Sequence, residues 1–265
     1  MREIGIVKVV LFCGGYGLAD GGGELPKPMH PVGPRPLLWH VMRYYAHFGH
    51  RDFILCLGHG AHHIKDFFLH YDETAATDFV LRGADVELLG GDVLDWTITF
   101  VHTGLESTIG ERLRRVRHLV ADEEMFFANY ADLLTDAPLD VMVERLTAAP
   151  EKIGSMLAVP PQSAFHLVDV GDGGTISSIT TAQQMPVWEN GGYFLLRQEI
   201  FEHLPEQSRL VEDVFAELAA DGRLLAHRHR GFWQPADTVK ERTAMEATFR
   251  SGTRPWMLWD QHALI

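Results

Sequence analysis

Apolar positions along the chain fall into two kinds of pattern. Residues 5–12, GIVKVVLF, form a short apolar run of strand length. In residues 36–49, PLLWHVMRYYAHFG, the positions Leu38, Val41, Met42, Tyr45 and Phe48 recur with the i, i+3, i+4, i+7 spacing of a helix covering a sheet. DFILCLG at 52–58 reads as a second buried strand, with a helix over 61–70. Continuously apolar strands separated by helices predict a parallel sheet covered on both faces, which binds ligands at the carboxyl ends of its strands.

Residues 72–95 interrupt this rhythm with polar, turn-forming sequence and predict an inserted hairpin. A strand over 96–104, a basic helix over 110–120 and a strand running into a polar loop over 124–136 follow. Further strands are predicted near 155–159, 165–170, 176–180 and 191–196, and helices near 211–221 and 238–249. The alternation in LLAHRHRGFW predicts an exposed edge strand leading to Asp237. With no repeat, low-complexity tract or linker, residues 1–265 read as a single domain, with 155–265 forming its more β-rich part.

Composition narrows the function. A net charge of -13 excludes the broad cationic face that binds nucleic acid without regard to sequence. The N-terminal apolar run is too short to span a membrane and lacks a small-residue cleavage site, so a cytoplasmic protein with no membrane partner is expected. Cys13 and Cys56, each inside an apolar run, are expected to be reduced core thiols. The histidines of GHGAHHIKDFF and HRHR lack the spacing of a metal site and read as loop and helix-face residues.

The candidate chemistry starts where the first strand ends. Gly14, Gly15 and Gly17 let the backbone approach a ligand closely, and successive N–H groups there can cradle phosphate. Neither a phosphate-binding Gly-Lys-Ser/Thr ending nor a dinucleotide fingerprint accompanies them, so a plain strand-to-helix connection remains open. Lys27 stands between Pro26 and Pro28, whose rings restrict the backbone and suit a lysine held toward phosphate; an exposed turn lysine is the alternative. Taken singly, Asp132 and Asp237 read equally well as turn or cap residues.

VVLFCGGYG with PKPMHPVGPRPLLWH, VHTGLESTIGERLRRV, NYADLLTD, NGGYFLL and GFWQPADT, in that order, resemble the sugar-1-phosphate nucleotidyltransferases, and among them the glucose-1-phosphate cytidylyltransferases. The resemblance spans nearly the whole chain. It implies a Rossmann-like α/β fold: a mostly parallel sheet flanked by helices, with a small β-rich extension. It further implies Mg²⁺-dependent transfer of CMP from CTP to a phosphorylated sugar, with release of pyrophosphate, in a homo-oligomer. Carried over, Lys27 meets phosphate, while Asp132 and Asp237 are catalytic and ligate the metal. Gly14, Gly15, Gly17, Thr103, Gly104, Gly110 and Arg112 face the nucleotide; Tyr130, Asn190, Gly191, Gly192 and Trp233 face the acceptor.

This sequence departs from the family at three points. Glu111 replaces the second glycine of Gly-Gly-Arg-Leu. GGYGLADGGGE lacks the arginine that reaches the triphosphate, and ITTAQQMP over 179–186 lacks the lysine that grips the sugar phosphate. Three outcomes are consistent with these losses. One is an enzyme with a changed acceptor, in which magnesium and Arg35 or a histidine such as His30 replace missing charge; the second is a homologue that binds nucleotide without turnover; the third is an active-site loop that has itself been altered, with Gly21, Gly22 and Gly23 as filler.

Overall fold

The computed structural model describes residues 6–15, 25–162 and 166–260. Gly17, with the rest of 16–24, lies outside them. In chain order β1 (Val9–Phe12) is followed by the short strands β2 (Pro31–Val32) and β3 (Arg35–Pro36), α1 (Leu37–His47), β4 (Asp52–Leu57) and α2 (Ala61–Leu69). The insertion comprises α3 (Glu73–Ala76) and the hairpin of β5 (Phe79–Arg82) and β6 (Asp85–Leu88). Then come β7 (Thr97–His102), α4 (Ile109–Arg115), β8 (Met125–Tyr130), β9 (Leu133–Thr135), α5 (Leu139–Thr147) and β10 (Gly154–Val159). A second hairpin, β11 (His166–Val170) with β12 (Ile176–Thr181), leads to β13 (Glu189–Arg197), α6 (Ala216–Ala220), β14 (Leu224–Arg228), β15 (Trp233–Pro235) and α7 (Val239–Arg250).

Seven strands form the central sheet in the order β14-β10-β13-β8-β1-β4-β7. β13 is antiparallel to both of its neighbours, and the remaining pairings are parallel. β1 is buried throughout because it packs on both faces: Val9 and Leu11 join one core cluster, Val10 and Phe12 the other. α1 covers the first face with Leu38, Val41, Met42 and Tyr45, and the helix ends where Gly49 adopts φ +91°. Cys13 and Cys56 are buried free thiols belonging to opposite clusters. Among the described residues no helix is long and apolar enough to cross a membrane.

The βαβ unit, the inserted hairpin and the edge strand β14 follow the periodicity. Three details differ from it. α5 is an additional helix, whose buried Leu139, Met142, Val143 and Leu146 carry the same helical stripe. The polar loop predicted after Tyr130 contains β9, which pairs with β15 far away in sequence. The C-terminal half contributes β10, β13 and β14 to the main sheet, leaving β11 and β12 as the β-rich extension.

Candidate active site

A cleft of about 380 Å³ opens at the carboxyl ends of β1 and β8, beside the start of β13. Gly15, Lys27, Tyr130, Asp132, Asn190, Trp233 and Asp237 all line it, with Phe12, Cys13 and Ile109 below them. These seven come from five separate stretches of chain.

The aspartates are brought together by the β9–β15 ribbon, in which Pro235 lies opposite Leu133 and Gln234 opposite Leu134. The Ala236 N–H donates to the Asp132 carbonyl at 2.9 Å, closing the ribbon between the two carboxylates. Asp136 anchors the approach to this ribbon: its Oδ1 accepts from the Phe232 N–H at 2.8 Å and lies 2.7 Å from His229 Nε2. Lys27 is presented by a 3₁₀ turn, Lys27–Met29, and the preceding Pro26 packs where Gly60, at φ +62°, leaves no side chain in the way. Its Nζ lies 2.5 Å from Asp237 and 4.0 Å from Asp132.

Burial, reinforced by the charge of Asp237 and opposed by Lys27, raises the Asp132 carboxyl to about 6. A part-buried carboxylate beside a second carboxylate is a site that favours a cation. Among the described residues no group of three or more His, Cys, Asp or Glu converges, so the protein offers two hard oxygen donors. That donor set fits Mg²⁺, which takes one or two carboxylates and completes its shell with phosphate oxygens and water.

On the β13 side of the cleft, burial raises the Tyr130 phenol to about 12. Asn190 Oδ1 accepts from the Gly192 N–H at 2.9 Å, and the Trp233 indole donates to the Gly191 carbonyl at 2.8 Å. Gly191 and Gly192 therefore shape the wall from behind. Gly192 sits at φ +73°, and a Cβ there would meet Tyr130 and Leu133.

The residues expected to face the nucleotide are not all at the cleft. Gly15 borders the cleft, whereas Arg112 is buried with its guanidinium turned into the protein. It donates to the Thr103 hydroxyl and the Gly14 carbonyl, both at 2.7 Å, and to the carbonyls of Leu105 and Leu57 at 3.2 and 3.4 Å. The loops after β1 and β7 and the end of β4 are thereby tied to one side chain. Gly14 leaves room for that guanidinium, Gly104 takes φ +93°, and Gly110 lets α4 pack against the Ser208 backbone. Glu111 closes a capping box: Thr108 accepts from its N–H, and its carboxylate accepts from the Thr108 N–H at 2.7 Å. Arg35 does not supply charge to the cleft, because it pairs with Asp92 at 3.5 Å and stacks on Trp39 and Tyr71.

No family model matches the chain. The glucose-1-phosphate cytidylyltransferase of Salmonella typhimurium is 31% identical over 262 residues, covering 96% of this chain and 100% of that one. The chain belongs to the glucose-1-phosphate cytidylyltransferase family. The Salmonella typhi enzyme of the same name matches with equal identity and coverage. A UDP-glucose pyrophosphorylase crystallised with UDP-glucose shares the fold, with a TM-score of 0.69 at 16% identity over 93% of this chain and 99% of that one. In this chain the cleft is lined by Lys27, Asp132 and Asp237.

Proposed function

We propose that the protein transfers CMP from CTP to a sugar 1-phosphate of the glucose 1-phosphate type. An oxygen of the acceptor phosphate attacks the α-phosphorus, the bond to the β-phosphate breaks, and a CDP-sugar and pyrophosphate leave. The observation that carries this reading is the convergence of Lys27, Asp132 and Asp237 on one cleft. Asp132 and Asp237 would hold Mg²⁺, which would offset charge on the phosphoryl oxygens and the departing pyrophosphate. Lys27 exchanges its carboxylate partner for a phosphate oxygen. Gly15 admits the nucleotide backbone closely, and Tyr130, Asn190 and Trp233 form the wall that positions the acceptor.

Pyrophosphate release with CTP, Mg²⁺ and a panel of sugar 1-phosphates tests this function. Release that requires both substrates and disappears in Asp132→Asn is the expected result. A second reading, nucleotide binding without turnover, is favoured by one feature: among the described residues lining the cleft, Lys27 is the one lysine or arginine. CTP binding with no release across the panel would establish that reading instead.

A further inference from the structure

Beyond Asn190 the acceptor side of the cleft leads to a pair of arginines on the sheet edge. Ala158 of β10 is paired on one side with Asn190 of β13 and on the other with Arg228 of β14. Laterally paired residues project from the same face of a sheet, so Arg228 stands on the face from which Asn190 enters the cleft, about 10 Å further along. The guanidinium of Arg228 lies 5.7 Å from the ring centroid of Trp188, and that of Arg230 lies 4.8 Å from the same ring. Trp188 itself is two positions before Asn190.

The backbone carrying these arginines is fixed from behind. Between them, the His229 N–H donates to the Ala158 carbonyl at 2.9 Å and the imidazole meets Asp136 at 2.7 Å. Both arginines are exposed, and among the described residues neither has a carboxylate partner, in a chain with 36 acidic residues. Stacking restrains the guanidiniums while leaving their N–H edges open, the arrangement that suits bidentate recognition of a carboxylate or phosphate.

We propose that Arg228 and Arg230, stacked on Trp188, recognise a second anionic group at the end of the acceptor remote from its reacting phosphate. This rests on the transfer reaction proposed above and names the class of its acceptor: a sugar 1-phosphate bearing a further carboxylate or phosphate. β8, which leads into Asp132, lies three strand spacings from β14, roughly 14 Å. The arginine side chains shorten that span toward the reach of one hexose substituted at both ends. A neutral sugar 1-phosphate leaves the arginine pair unused.

The test compares glucose 1-phosphate, glucuronic acid 1-phosphate and glucose 1,6-bisphosphate as acceptors with CTP and Mg²⁺. At least one of the two acidic acceptors is expected to show kcat/KM about tenfold or more above glucose 1-phosphate, and which one responds distinguishes carboxylate from phosphate. In the Arg228→Gln/Arg230→Gln variant the preference should collapse toward unity, with KM for CTP within about twofold of the parent. Equal use of all three acceptors by the parent, or a preference that survives in the variant, overturns the proposal. If no acceptor supports release, the transfer reading fails, and calorimetry of the same three compounds on the CTP-loaded protein still decides the arginine pair. Tighter binding of an acidic compound by the parent and not by the variant upholds the pair; equal binding rejects it.

Discussion

Lys27 Nζ lies 2.5 Å from Asp237 Oδ1, across 210 positions of the chain. The same ammonium is 4.0 Å from Asp132, so one lysine serves two carboxylates. The arrangement concentrates negative charge in the cleft, and the lysine neutralises part of it.

If the proposed Mg²⁺ role of the two carboxylates holds, Asp132→Asn and Asp237→Asn are each expected to lower CTP affinity in Mg²⁺ by at least about tenfold, because each removes a charged ligand. The ligand-free melting temperature should stay level, or rise slightly for Asp132→Asn, since a carboxylate destabilised by burial becomes neutral. Calorimetry and thermal melts check both; unchanged Mg²⁺ dependence in both variants would remove the metal role from these residues.

Arg112→Lys keeps the charge and loses the fork that reaches Gly14, Thr103, Leu105 and Leu57. Several buried acceptors lose their donor, so the expected cost is about 3 kcal/mol, read as a lower urea midpoint. CTP affinity should fall with it if CTP binds in the cleft as proposed, because the loop that carries Gly15 is no longer tied down. A variant as stable as the parent would show that the clamp does not hold these loops.

Gly15→Ala and Gly192→Ala should separate binding from folding. No atom lies within 4 Å of a Cβ at Gly15, so that variant should melt normally and bind CTP more weakly through crowding in the cleft. At Gly192 the φ of +73° and the neighbouring Tyr130 and Leu133 penalise the folded state by about 1–2 kcal/mol or more. Melting temperature and CTP titration, measured on both, should show opposite patterns.

His40 provides a pH dependence independent of the cleft. Its Nε2 lies 2.9 Å from the Val32 carbonyl and its Nδ1 accepts from the Trp256 indole at 3.2 Å, while burial lowers its pKa to about 4. The folded value lies below the unfolded one, so acid protonates the unfolded chain first, and the stability contribution present at neutral pH is lost as pH falls from about 6.5 toward 4. Between pH 7 and pH 5 the expected loss is about 2 kcal/mol. Urea midpoints across this range should show a smaller slope in His40→Gln than in the parent; equal slopes would assign the effect to other groups.

Periodicity alone determined the βαβ unit, because burial on both faces of β1 and β4 requires continuous apolar runs and the stripe on α1 repeats every turn. The ordered motifs likewise singled out Lys27, Asp132 and Asp237, three residues that line one cleft. The stripe of α5 was present in sequence too, within a polar stretch where it stands out little. Tertiary structure decided the rest. The β9–β15 ribbon closes the long separation between the two aspartates, Arg112 turns inward to the end of β4 and the loops after β1 and β7, and Trp188, just before β13, meets Arg228 and Arg230. Periodicity reports which side of a local segment is buried, whereas these contacts depend on strand order and register between distant segments. Closing such long loops gains its reward only when the whole sheet forms, and so leaves no repeating mark along the chain.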